Sequence, residues 1–176
     1  MAYQEVTAGE NAPGVINVII EMIRGSRNKF EMDKKTGLLT LDRVNGTRLS
    51  TPADYGYIPA TLCEDGDPLD VMIVMDESPA HGSVVPVRPI GVLFFKDEGE
   101  NDEKIIGVPA KDVSKDHILE VDDLGENFKK VVVHYYSHYK DWKNDWSGVK
   151  AEFKGWGDAA EAKKVIQESI ARAKNP

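Results

Sequence analysis

One cysteine, Cys63, is all the chain carries in 176 residues, so no internal disulfide framework can form and a reducing compartment is expected. Long apolar runs are missing too. None reaches the length of a membrane-spanning helix, and the first residues lack the basic-then-apolar order of a signal peptide. Cytoplasm is therefore the expected location, with no membrane partner. Positive charge is in deficit: 22 Lys and Arg stand against 30 Asp and Glu, for a net charge of −8, and the basic residues are scattered. Nucleic acid would be repelled by such a chain and is not an expected partner. A small phosphate remains possible, because an acidic pocket accepts one when metal ions invert the local sign and Lys or Arg stand among the acids. Repeats, low-complexity segments and linkers are also absent. With 41% hydrophobic and 30% charged residues, the chain reads as one domain over residues 1–176, long enough to bury a substantial core.

What is present is acid in a particular place. Glu64-Asp65-Gly66-Asp67-Pro68-Leu69-Asp70 sets the carboxylates of Asp65, Asp67 and Asp70 within six residues, then runs into the apolar, β-prone Val71–Met75. The acids thus sit on a tight turn at a strand's start. Anions held so close raise one another's pKa unless a cation sits among them, and a hard divalent ion such as Mg²⁺ suits an all-oxygen site. An EF-hand loop fits poorly, since Leu69, Asp70 and Asp76 fall where its fifth, sixth and twelfth positions would be. A solvated acidic turn with no ligand is the plain alternative, and this block alone does not exclude it.

In chain order, residues 1–14 are mixed and leave an irregular arm or a short capping helix open. Val15–Ile23 is predicted as a strand, with Glu21 exposed by alternation. Lys29–Asp33 and Leu38–Val44 alternate around the turn Lys34-Lys35-Thr36-Gly37 and predict a hairpin that puts Lys29 and Glu31 on one face. Asp54-Tyr55-Gly56-Tyr57-Ile58-Pro59 follows, its tyrosines either packing residues or hydroxyl donors to an anion. Residues 83–95 read as broken β whose prolines argue for edges or bulges. A second acidic segment, 96–104, joins that strand to Ile105–Pro109. It is either a solvated turn or a further source of ligands for the same metals, with Lys104 left to meet substrate.

Residues 112–117 suit a short helical turn, and Gly125–Tyr139 a helix whose stripe is Phe128, Val132, Tyr135 and Tyr139. His134 and His138 have zinc-like spacing but no third ligand nearby, so surface or interface histidines are expected. Val149–Gly157 is a short strand, and Asp158 caps a last helix with the stripe Ala162, Val165, Ile166, Ser169, Ile170 and Ala173. Strands early and helices late, without βα alternation, predict a mainly β fold: an antiparallel barrel of about five strands with two principal helices packed outside.

Asp65-Gly66-Asp67-Pro68-Leu69-Asp70-Val71, with Lys29-Phe30-Glu31, Asp42-Arg43, Asp54-Tyr55-Gly56-Tyr57, Asp97, Asp102-Glu103-Lys104 and His138-Tyr139-Lys140 in this order, resembles the family I soluble inorganic pyrophosphatases of the short bacterial type. The resemblance implies a five-stranded OB-like closed barrel, a homohexamer built as two trimers, and Mg²⁺-dependent hydrolysis of pyrophosphate to two orthophosphates by a Mg-bridged hydroxide. It also implies roles. Asp65, Asp70 and Asp102 hold the first Mg²⁺, Asp70 reaches the second, and Asp97 and Asp102 serve a metal arriving with substrate. Asp67 is the general base, and Glu21 and Glu31 either stand behind the metal-holding aspartates or hold an additional metal. Lys29, Arg43, Tyr55, Lys104, Tyr139 and Lys140 grip the phosphates. Thr51 stands where many members carry Tyr, keeping a hydroxyl of shorter reach.

The chemistry is consistent with this. Attack of an anion on an anion needs the repulsion neutralised and the water acidified, which clustered divalent metals do. Two other classes remain: a non-catalytic divalent-cation module, and a metal-dependent nuclease or nucleotide phosphohydrolase, which would need a basic or aromatic surface for the rest of its substrate.

Overall fold

A computed structural model describes residues 5–33, 35–146 and 151–175. Nine strands are seen among them: β1 (Ile16–Met22), β2 (Asn28–Met32), β3 (Leu39–Val44), β4 (Asp54–Tyr57), β5 (Asp70–Ile73), β6 (Val84–Asp97), β7 (Glu100–Asn101), β8 (Lys104–Pro109) and β9 (Ala151–Gly157). Two α-helices, α1 (Glu126–His138) and α2 (Ala159–Lys174), complete a mainly β architecture. Lys34 of the expected turn, and Val149 and Lys150 of the expected last strand, lie outside the described residues.

One sheet of seven strands runs β1-β4-β5-β8-β6-β7, with β9 also on β6, while β2 and β3 form a separate antiparallel pair. The first half of β6 returns to β1, Ile16 facing Val87 and Ile19 facing Val84. Strand β6 serves so many partners because it is 14 residues long. Its prolines argued for edges or bulges, and the bulge is found: the ladder with β8 shifts between Pro89 and Gly91. The strand is nonetheless continuous and central rather than broken or at an edge. A second difference is the β5–β8 pair, which is parallel where an antiparallel barrel was expected. The crossing that follows β5 sets β6 against β1, and β8 then comes back antiparallel to β6 on the side that faces β5.

Strand alternation divides the apolar residues between two cores. Met72, Leu93 and Ile106 pack with Val132, Tyr135 and Tyr136 of α1. Their neighbours Val71, Ile73, Val92 and Ile105 pack with Ala162 and Ile166 of α2. Both helices thus bury the stripes expected of them, and α2 begins at the expected cap: Asp158 accepts from the Glu161 N–H at 2.8 Å, within a capping box. Residues 112–117 hold only a single 3₁₀ turn, Val113–Lys115.

Glu21 corrects the expectation of exposure, being only 7% exposed. The β1–β4 ladder slips there, with Ile20 opposite Gly56 and Met22 opposite Tyr55, so Glu21 is left out of the pairing. Its carboxylate accepts the Met32 N–H at 3.2 Å, which ties β1 to the β2–β3 hairpin.

Candidate active site

The acidic turn is shaped by its own hydrogen bonds. The Asp67 N–H donates to Asp65 Oδ1 at 3.0 Å, the Cys63 N–H to the Asp67 carbonyl at 2.7 Å, and Gly66 takes a φ of +90° that suits glycine. Leu69, fully buried, anchors the turn to the core, and its N–H donates to Thr61 Oγ1 at 2.9 Å. Strand β5 then starts at Asp70, whose parallel partner is Lys104 at the start of β8.

That register explains the centre of the site. Lys104 Nζ lies 2.5 Å from Asp70 Oδ2 and 2.5 Å from Asp102 Oδ1, above the Tyr136 ring at 5.8 Å. Burial opposes its charge, yet Asp70 and Asp102 hold the ammonium well above the ordinary lysine pKa. Lys140, just beyond α1, pairs with Asp97 and lies 5.3 Å from the Tyr139 ring, which stacks on Tyr135 at 4.9 Å. On the hairpin, Lys29 pairs with Glu31 at 2.7 Å and faces Arg43 across the strands, which in turn pairs with Asp42.

These segments close around one cleft of about 690 Å³. Glu21, Lys29, Glu31, Arg43, Tyr55, Asp65, Asp67, Asp70, Asp97, Asp102, Lys104, Tyr139 and Lys140 all line it, so every candidate site residue meets in one place. Thr51 does not. It is buried behind the site, its hydroxyl donating to the Ala53 carbonyl at 2.9 Å. His134 and His138 are exposed on α1 with rings 4.7 Å apart, and His138 Nδ1 lies 3.1 Å from Asp141 Oδ2, in keeping with surface histidines. The sequence reading missed Tyr136 beneath Lys104, and it took in Glu98, Glu100, Asn101 and Glu103, which also line the cleft, only as part of the second acidic segment without singling them out. Only the run Tyr135-Tyr136 beside the helix stripe hinted at the first.

Ten carboxylates and four cations line the cleft, and that excess sets its electrostatics. Burial, with Asp70 adding to it, pushes Glu21 up to about 8. Burial likewise raises Asp65, with the Asp67 and Asp102 charges adding, though the Asp67 N–H works against them. Asp97 Oδ1 is buried without a hydrogen-bond partner. Among the described residues no three His, Cys, Asp or Glu side chains are drawn together as a ready ligand set, because lysines lie between the acids. The donor chemistry nevertheless fits a hard divalent cation: all-oxygen, anionic in excess, with one carboxylate oxygen unpartnered.

A family model described as inorganic pyrophosphatase matches residues 18–174. The chain is 43% identical to the inorganic pyrophosphatase of Sulfolobus acidocaldarius over 96% of both proteins. It is 44% identical to that of Gluconobacter oxydans, covering 99% of this chain and 100% of the relative. The crystal structure of inorganic pyrophosphatase from Thermus thermophilus superposes with a TM-score of 0.93 at 38% identity over 99% of each chain. With a cleft of interleaved acids and lysines and matches that span nearly its whole length, the chain belongs to the inorganic pyrophosphatase family and is a hydrolase acting on diphosphate.

Proposed function

We propose that this cleft hydrolyses inorganic pyrophosphate to two orthophosphates with Mg²⁺ as cofactor and Asp67 as general base, the 1–176 chain acting as one domain. The observation that carries the reading is the meeting of all thirteen candidate residues on one wall-to-wall surface, four of them cationic among the acids. Asp65, Asp70, Asp97 and Asp102 would hold Mg²⁺, with Glu21 and Glu31 behind them. Bound there, Mg²⁺ supplies positive charge against the phosphoryl oxygens and acidifies a coordinated water.

The chain's own groups do the rest. Lys29, Arg43, Lys104 and Lys140 pair with phosphoryl oxygens, and the approaching dianionic groups compete with Asp70, Asp102 and Asp97 for the two lysines those acids now hold. Burial keeps the Tyr55 hydroxyl protonated well beyond its ordinary range, so it serves as a hydrogen-bond donor, and Tyr139 presents a second. Asp67 takes the proton of the attacking water. It suits this because, among the described residues, it shares none of the ion pairs that engage Asp70, Asp97 and Asp102.

The finer fold reading belongs with this proposal: the circuit β1-β4-β5-β8-β6, returning to β1, is taken as an OB-like closed barrel of five strands. A homohexamer is proposed as well, supported by exposed apolar residues such as Leu38 and Leu41 on the hairpin and Val131 on α1. Light scattering on the purified protein tests that assembly. Cytoplasmic residence is part of the same reading, and no described helix is long and apolar enough to cross a membrane. Orthophosphate released from pyrophosphate by the pure protein, with and without Mg²⁺, tests the function. Cation binding without release would leave the chain as a binding module.

A further inference from the structure

The two acidic segments are joined by a side chain that belongs to neither the acids of the cleft nor its cations. Glu64 precedes Asp65, Asn101 precedes Asp102, and Asn101 Nδ2 donates to Glu64 Oε2 at 3.1 Å. The other oxygen, Glu64 Oε1, lies 3.9 Å from Arg172 Nη2 on α2. Arg172 is itself fixed to this loop, since Nη1 donates to the Leu62 carbonyl at 2.8 Å and the Leu62 N–H donates to the Ser169 carbonyl at 3.1 Å. Three elements therefore converge on one carboxylate: the last turns of α2, the turn that presents Asp65 and Asp67, and the β6–β7 hairpin that presents Asp97 and Asp102.

We infer that Glu64 is a positioning residue, a clip between Arg172 and Asn101 that sets the separation of Asp65 and Asp102 and so tunes how tightly the cleft takes a divalent cation. The inference rests on the reading above, in which those two aspartates hold the same ion. Glu64 itself does not line the cleft, and its side chain is 63% exposed, so the clip is a modest one that shifts affinity without being needed for the fold.

Mn²⁺ titration of the metal-free protein, followed by electron paramagnetic resonance of the free ion, reads the effect without reference to turnover. Glu64→Ala should bind Mn²⁺ about three- to fivefold more weakly, the scale of an exposed charge-assisted contact. Asn101→Ala, which breaks the same clip at its other end, should also weaken binding, and the double variant should be no weaker than Glu64→Ala alone, because that substitution already removes the Asn101 contact. Glu64→Gln, which keeps an oxygen for Asn101, should recover most of the loss. In the assay, Glu64→Ala should need more Mg²⁺ for half-maximal rate while keeping kcat at saturating Mg²⁺. Asp102→Asn is the control that separates the two claims. If it weakens Mn²⁺ binding while Glu64→Ala binds as the parent does, or the double variant shows the sum of two independent losses, the clip is overturned and the metal reading stands. If Asp102→Asn also binds as the parent does, both fall together.

Discussion

Asp67 owes its place to its backbone, since its N–H goes to Asp65 and its carbonyl receives the Cys63 N–H, which leaves the side chain as the variable part. Asp67→Asn preserves both bonds and the volume while removing the proton acceptor. Turnover should fall by about 10²–10⁴-fold, the usual scale for a lost general base, with Mn²⁺ affinity little changed. Stopped-time orthophosphate assays at saturating Mg²⁺ check it, and a near-parental rate would remove Asp67 from the role. Glu21 gives a prediction of a different kind. Its carboxyl titrates near 4.5 in an unfolded chain and at about 8 in the fold, because burial disfavours the anion and Asp70 adds repulsion. Below 4.5 both states are protonated. Between 4.5 and about 8 only the unfolded chain gives up its proton, so stability drops as pH rises through that window and levels off above it. Glu21→Gln stays neutral and keeps an oxygen for the Met32 N–H. In metal-free protein the variant should match the parent near pH 4.5 and exceed it by a few kcal/mol, on the order of 1.4 per pKa unit, near pH 9. Urea melts at several pH values decide the matter, and a difference that is flat with pH would refute it.

At the scale of elements, β4 carries Tyr55 and Tyr57 into the site and depends on the glycine between them. A Cβ at position 56 would stand 1.9 Å from the Ile19 carbonyl oxygen, so β1 and β4 pair this closely only around glycine. Gly56→Ala should cost on the order of 3 kcal/mol or more, which for a chain of this size is a fall of roughly 6–12 °C in Tm. A melt within 2 °C of the parent would show that the sheet yields more than this contact allows. Elements of this kind were largely legible from local pattern. The alternation of residues 29–33 and 38–44 marked the hairpin, the stripes marked both helices, and Asp158 marked its cap. What local pattern misses is whatever a distant partner decides. Glu21 sits in an apolar run where alternation predicts exposure, and only slippage against β4 together with the hairpin's approach buries it. Pro86 and Pro89 gave away the bulge but also suggested a broken or edge strand, because nothing nearby in sequence reveals that β6 is held by neighbours on either side. The parallel register that sets Asp70 beside Lys104 is likewise a property of strand order, invisible to either segment alone.

For the molecule as a whole, the unit of interest is a charge distribution assembled from six separated stretches of chain, of which only the Asp65-Asp67-Asp70 turn pointed to a cation by its own spacing. The remaining positions, from Glu21 to Lys140, were brought to the same cleft by motif order and resemblance, since no periodicity relates a hairpin lysine to a turn beyond α1. With a net charge of −8 and ten carboxylates facing one cleft, the folded chain gathers repulsion that the unfolded chain disperses. A divalent ion bound there stabilises the fold twice over. It relieves that repulsion, and it binds the native state in preference to the unfolded one. At 100 times its dissociation constant a ligand selective for the native state adds about 2.7 kcal/mol, which for 176 residues raises Tm by roughly 5–10 °C. Mg²⁺ should therefore raise the melting temperature steeply at low ionic strength, and excess chelator should reverse it. NaCl at matched ionic strength distinguishes binding from screening, because screening alone acts on exposed charges, while the Lys104, Asp70 and Asp102 group lies largely inside the protein. If NaCl reproduces the whole rise, the cleft holds no specific cation. Should Mg²⁺ produce it and Asp70→Asn abolish most of it, the excess of acid is accounted for by the ion it was assembled to hold.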